Sequence, residues 1–160
     1  MAVDMFLKLD GIPGESRDEG HKNEIDVLAW SWGASNSGSA HIGGGAGTGK
    51  VNVQDLSVTK YVDAGSHLLL SNCSTGKHIP EATLTVRKAG GTAVEYVIIK
   101  MKEVLVSSVS VGGSGGQDRL TENISFNFAE FEYAYTPQDE KGAGGAKKEF
   151  KYCIAENKVK

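Results

Sequence analysis

What most constrains this chain is a side-chain period of two that recurs along most of its length. Val3, Met5, Leu7 and Leu9 alternate with Asp4, Phe6 and Lys8, and Ile25, Val27 and Ala29 alternate with Asp26, Leu28, Trp30 and Trp32. Ala82, Leu84 and Val86 repeat the pattern. A long run over 94–111 follows, then Ile124, Phe126 and Phe128, and finally Phe150, Tyr152 and Ile154. Successive strand residues point to opposite faces, so alternation rich in β-branched and aromatic residues predicts antiparallel strands with one buried face. Ala89-Gly90-Gly91, between two such runs, predicts a hairpin turn.

Two runs change phase. The series Ile124, Phe126, Phe128 resumes one step late at Phe131, Tyr133 and Tyr135, and Val51 and Val53 are followed by Leu56 and Val58. A one-residue slip exchanges the core face, so each break predicts a β-bulge or a strand that bends between sheets. Bending strands are what a closed barrel or sandwich requires. One helix is expected: Asp63 caps a segment holding Leu68, Leu69, Leu70 and Cys73, and Gly76 stands at the left-handed stop. Residues 33–50 carry seven glycines in 18 positions, longer than a hairpin connection and in the range where loops carry function. The predicted fold is therefore mainly β. It is a small antiparallel barrel of two packed sheets, with one short α-helix and a long glycine-rich extended loop, in a single domain over 1–160.

Composition narrows the function. With 39% hydrophobic residues in 160, one core can support the chain without staples. No run approaches the ~18 apolar residues of a membrane span, so no membrane insertion is expected. The first eight residues lack the basic, apolar and cleavage regions of a signal peptide. A net charge of -3 argues against a nucleic-acid partner, which needs a basic face. Cys73 and Cys153 lie too far apart, with no second pair, to suggest zinc or a disulfide framework, and read as buried reduced thiols.

Motifs that imitate chemistry fail on context. Gly44 to Lys50 fits seven positions of a phosphate-binding loop, but the eighth is Val51 instead of a hydroxyl residue, and a strand follows where a helix should. Gly112-Gly113-Ser114-Gly115-Gly116 fits a nucleophile elbow, yet the chain leads into another strand. His21, His41, His67 and His78 have no metal-ligand spacing, and His67 is expected to pack on the helix. The acidic run Asp10, Glu15, Asp18, Glu19 and Glu24, with Arg17 and Lys22 interspersed, reads as a solvated loop. No catalytic, cofactor or metal site is expected. Trp30 and Trp32 offer a sugar-stacking platform with Tyr61. Packing into a partly buried wall is the expected role, because aromatics dominate cores and interfaces. A soluble ligand- or carbohydrate-binding β-barrel is the alternative function.

Four segments are more specific: Glu24-Ile25-Asp26-Val27-Leu28-Ala29-Trp30-Ser31-Trp32-Gly33, Gly49-Lys50-Val51-Asn52-Val53-Gln54-Asp55-Leu56, Thr83-Leu84-Thr85-Val86-Arg87-Lys88-Ala89-Gly90-Gly91, and Val104-Leu105-Val106-Ser107-Ser108-Val109-Ser110 continuing to Asp118-Arg119-Leu120-Thr121-Glu122. In collinear order from Ala2 to about Pro137, the chain resembles the haemolysin co-regulated (Hcp) proteins, tube subunits of the type VI secretion machine. The resemblance implies a homohexameric ring. Rings stack inside a contractile sheath and are expelled with a spike protein of the VgrG type, and small effectors ride in the lumen. It also implies assembly in the bacterial cytoplasm and secretion by the machine, as a virulence component. Ser31 lies between Trp30 and Trp32, so it points away from both rings, and Ser114 sits at the tip of a glycine loop. Both are candidates for the lumen wall that meets effectors. Ala40, His41, Ile42, Gly43, Gly44, Gly45 and Ala46 are the candidate ring-stacking loop.

Overall fold

The computed structural model describes residues 3–38, 50–88, 94–138 and 144–160. In chain order the elements are β1 (Val3–Leu9), β2 (Ile25–Ser31), β3 (Ala34–Asn36), β4 (Val51–Val53), β5 (Leu56–Tyr61), α1 (Ser66–Thr75), β6 (Ile79–Lys88), β7 (Glu95–Gly112), β8 (Thr121–Asn127), β9 (Glu130–Tyr135), β10 (Lys148–Cys153) and β11 (Lys158–Val159). Every strand pairing is antiparallel. Pairing closes the circuit β1-β2-β5-β8-β7-β6 into a six-stranded barrel, and β9, β10 and β11 continue outward from β7 as a flap. The predicted mainly β barrel with one short helix is the observed fold.

Two strands serve as corners. β2 pairs with β1 through Ile25 and Asp26, then with β5 from Val27 onward, and a bulge at Leu28 marks the change. β7 pairs with β6 up to Val104 and with β8 from Leu105. Its turning point is Glu103, a non-glycine residue at φ 55, a left-handed conformation that costs an L-residue roughly 1–2 kcal/mol. Across from it, β8 and β9 keep one register through the corner, with Leu105 opposite Asn127 and Lys102 opposite Glu130, before a bulge at Ser107 shifts the β7–β8 pairing. The phase break after Phe128 is thus a bend between sheets, one of the two outcomes the sequence allowed. The break after Val53 also changes sheets: β4 pairs with β3, and β5 with β2 and β8. The β3–β4 pair extends the β2–β5 hairpin, Gln54 N–H donating to Gly33 O at 2.9 Å.

The core is the inward row of each strand. Leu7, Leu84 and Ile99 stand in register, and Leu56, Val58, Ile124 and Phe126 face them from the second sheet, all essentially buried. α1 sends Leu69 into this core. It ends at Gly76 (φ 73), as predicted, with the Gly76 N–H on Asn72 O. Its start differs from expectation. The N-cap is Gly65, because a β-carbon there would stand 2.3 Å from Pro13 O. Asp63 acts two residues earlier, its Oδ1 accepting the Gly65 N–H at 2.9 Å. His67 is exposed and does not pack. Cys153 is buried and Cys73 half-buried, both free thiols.

The acidic loop is more than solvated. Residues 10–24 fold back over β1 and β6, where Arg87 holds Asp18 Oδ2 at 2.5 Å and Asp4 Oδ2 at 3.2 Å. The buried His21 ring stacks on Phe6 at 4.3 Å, with its Nδ1 3.0 Å from Glu24 and its Nε2 2.6 Å from Glu95. Ala89-Gly90-Gly91 lies outside the described residues. Among the described residues, no helix is long and apolar enough to cross a membrane.

Candidate functional site

Strand register gives the barrel two outer faces. On the first, Lys8, Thr83, Lys100, Glu132 and Lys151 lie opposite one another across β1, β6, β7, β9 and β10, and Glu81, Lys102 and Glu130 form the next row. The rows are laced by Lys151 to Glu132 at 3.8 Å and Lys160 to Glu130 at 2.8 Å. The Lys160 hydrogen bond holds the Glu130 carboxyl below the usual carboxylate range and, reciprocally, raises the Lys160 ammonium.

On the second face, Ser31, Ser57, Ser125 and Ser108 lie opposite one another across β2, β5, β8 and β7. The adjoining row is Ala29, Thr59, Asn123 and Ser110, with Thr59 Oγ1 donating to Asn123 Oδ1 at 2.6 Å. Asp55 flanks these rows, and both its oxygens are occupied, by Ser107 Oγ at 2.6 Å and Asn127 Nδ2 at 2.9 Å.

The bulge at Leu28 makes this face. Simple alternation groups Ala29 with Ile25 and Val27, but the extra residue turns Ala29 and Ser31 outward and puts Trp30 opposite the buried Val58. Trp32 packs against Phe131 at 4.9 Å and donates its Nε1–H to Gln54 O at 2.9 Å. Arg119 covers the Tyr61 ring at 4.0 Å. The two tryptophans are half-buried wall residues, so these three rings do not form an open sugar platform.

Ser31 is exposed within the serine row. Ser114 is also exposed, but it lies in the turn beyond β7, where its N–H donates to Gln117 Oε1 at 3.1 Å. The structure does not bring the two together. Ala40, His41, Ile42, Gly43, Gly44, Gly45 and Ala46 lie outside the described residues, and the β3–β4 hairpin leads into them. Ser57, Ser125 and Ser108 were missed by sequence reasoning. Their signal was outward parity on strands whose inward residues are Val58, Ile124 and Phe126.

Beneath this face sits a buried polar cluster. Lys60 is fully buried and bonds to Glu122, with Asp63 Oδ1 at 3.2 Å and Ser66 Oγ at 3.3 Å. Ser66 Oγ donates to Glu122 Oε1 at 2.6 Å. The set imitates a serine nucleophile beside a lysine base, but a base needs a free lone pair. Lys60 is instead an ion-pair partner of two carboxylates, and the cluster pins α1 to β5 and β8. Lys60 and Glu122 are opposite each other in register, both at inward parity. That coincidence of opposite charges was legible and unread.

The comparisons decide what this scaffold is. Residues 6–135 match the family described as type VI secretion system effector, Hcp. The chain belongs to the Hcp family. It is 60% identical over 144 residues to protein hcp1 of Pseudomonas aeruginosa, covering 89% of each chain. A solved type six secretion system protein superposes with a TM-score of 0.94 at 37% identity, over 99% of this chain and all of that one. Hcp1 of Salmonella typhimurium does so with a TM-score of 0.83 at 36% identity, over the full length of both. The chain is therefore a type VI secretion protein, in a family of secreted structural tube proteins.

Proposed function

We propose that this Hcp chain, acting over 1–160 as one barrel domain, is the repeating subunit of a type VI secretion tube. Six copies close into a ring, rings stack, and sheath contraction expels the tube with a VgrG-type spike. The serine face lines the lumen and the charged face turns outward, towards the sheath. The observation that carries this reading is the contrast between the two faces of a family member. Rows of short hydroxyl side chains, with the one flanking carboxylate, Asp55, already held by Ser107 and Asn127, offer hydrogen bonds to cargo with little charge to desolvate. Each such bond is worth only about 0.5–1.5 kcal/mol. Six copies around one channel add them, so a small effector is held by many weak contacts and remains releasable. The segment 40–46, which lies between β3 and β4 in sequence, makes contacts between stacked rings.

The test is native mass with negative-stain imaging, followed by effector co-purification. The expected result is a hexameric ring with a central channel that survives reducing agent. Ser31→Gln should leave the ring intact and lower effector recovery, and Ser114→Asp should do the same only if that turn also faces the lumen. A sedimenting monomer at micromolar concentration removes the ring reading. Unchanged effector recovery with Ser31→Gln moves the cargo surface elsewhere. Shortening 40–46 should spare the ring and stop secretion.

A further inference from the structure

The hydroxyl rows of the serine face do not choose the sign of what they bind, because each hydroxyl donates or accepts. The charged side chains at the ends of the rows do. At one end, the row Tyr61, Thr121 and Gly112 is capped by Arg119, which covers the Tyr61 ring at 4.0 Å, with Asp118 beside it in sequence. Those two charges are opposite and both are exposed, so that end has no net charge. At the other end stands Asp55, six residues before Tyr61, a span of roughly 20 Å in extended backbone. Lys60 and Glu122 also belong to these strands, but they point inward and pair with each other. Asp55 therefore sets the sign of the face.

Its surroundings suit it to receive a donor. Asp55 is half-buried just before β5, beside the exposed Ser107 and Asn127. An ionised carboxylate only accepts, with about four acceptor sites on its two oxygens. Asn127 Nδ2 takes one on Oδ1 at 2.9 Å, and Ser107 Oγ takes one on Oδ2 at 2.6 Å. Acceptor capacity remains on each oxygen. The two bonds also hold the group in place, so less side-chain freedom is lost when a ligand meets it. Among the described residues, no lysine or arginine pairs with Asp55. Ser57 follows two residues on, within roughly 7 Å along the strand, so a group seated on Asp55 reaches the hydroxyl row as well.

Resting on the reading of this face as the lumen wall, we propose that Asp55 selects cargo by sign. The channel takes effectors that present arginine or lysine side chains to the wall, and it disfavours those with an acidic surface. A guanidinium suits the position, since its planar fork spans two carboxylate oxygens. In a ring, every copy sets its carboxylate at the same level, and the hydroxyls between adapt to whatever else the cargo presents. A single exposed ion pair is weak. Several made at once by one cargo reinforce each other, and salt weakens them all.

The test uses rings verified by native mass and two dye-labelled peptides as probes, hexa-arginine and hexaglutamate, read by fluorescence anisotropy. Wild-type rings should bind hexa-arginine and not hexaglutamate. Asp55→Asn should weaken hexa-arginine binding about fivefold or more at about 50 mM salt, and the difference should vanish near about 0.5 M salt. Asp55→Lys should exchange the preference between the two probes. Glu19→Gln, the same loss of charge on the exposed acidic loop, should leave both probes unchanged. If Asp55→Asn does not assemble, Asp55→Ser takes its place. Equal weakening by Glu19→Gln and Asp55→Asn would mean that overall charge attracts the peptide, and it overturns the inference. Unchanged hexa-arginine binding by Asp55→Asn rings also overturns it, while the ring reading stands. A monomeric wild type removes the ring reading itself, and this inference falls with it.

Discussion

On one wall of the barrel Lys8, Thr83, Lys100, Glu132 and Lys151 stand in register across five strands, and on the other Ser31, Ser57, Ser125 and Ser108 do so across four. Both walls rest on the same antiparallel ladder and cover the same core. Backbone pairing and apolar burial therefore hold the fold, and the outward rows are free to differ. The lesson is that stability and surface chemistry are separable here, except where charge turns inward at Lys60 and Glu122.

That exception should give the largest effect. Glu122→Ala leaves Lys60 buried and short of its main partner, and should cost about 3–5 kcal/mol in urea unfolding. Replacing both, Lys60→Met with Glu122→Leu, should recover much of the loss. A loss under about 1 kcal/mol from the single change would show that the cluster does not hold the wall.

Next comes the acid response of the acidic loop at 10–24, a strap that lies over the outward face of β1 and β6 at Phe6 and Arg87. The hydrogen bond from Arg87 holds the Asp18 carboxyl below its ordinary value, and the partner guanidinium is raised. An unfolded aspartate titrates near about 3.9. The stabilisation is therefore complete above that pH and fades as pH falls through the lower native value. Wild type should exceed Asp18→Asn in stability at pH 7, and the gap should narrow steadily in melts taken below pH 4. A gap independent of pH would separate the strap from this ion pair.

A smaller effect is expected on the charged wall itself. Lys100→Ala removes a cross-strand partner of Glu132 and should cost about 0.2–1 kcal/mol at low salt, and near nothing at 1 M salt, where screening is short-ranged. Smallest is the serine wall. Ser57→Ala with Ser125→Ala should change stability by no more than about 0.5 kcal/mol, with no salt dependence. A large loss there would mean that the hydroxyl row has a structural job, and the separation of the two walls would fail.

Much of this architecture was legible. Alternation located the barrel strands, the change of phase after Phe128 located a bend between sheets, and Gly76 marked the end of the helix. The Leu28 bulge was not legible, because a bulge adds one residue to a strand without changing its composition, and the residues around it suit either face. Parity across it inverted, and Ala29 was placed inward. Gly65 was passed over as a cap because its reason, the closeness of Pro13, is tertiary. The strap looked like ordinary polar loop because Arg87 and Glu95, which fasten Asp18 and His21, lie 69 and 74 residues away. At the candidate site, the orientation of Ser31 followed from its tryptophan neighbours. Its serine companions required the register of three more strands.

The left-handed turn at Glu103 has a mechanical meaning. β7 and the β8–β9 run opposite it form one ribbon that crosses the seam between the two walls, so the seam is spanned by unbroken chain. A push on either wall is passed to the other through covalent bonds. Force along the ribbon meets its cross-links together, in shear, while force across it would part them one at a time. The subunit is a directional solid, stiff along one axis and easier to peel along another.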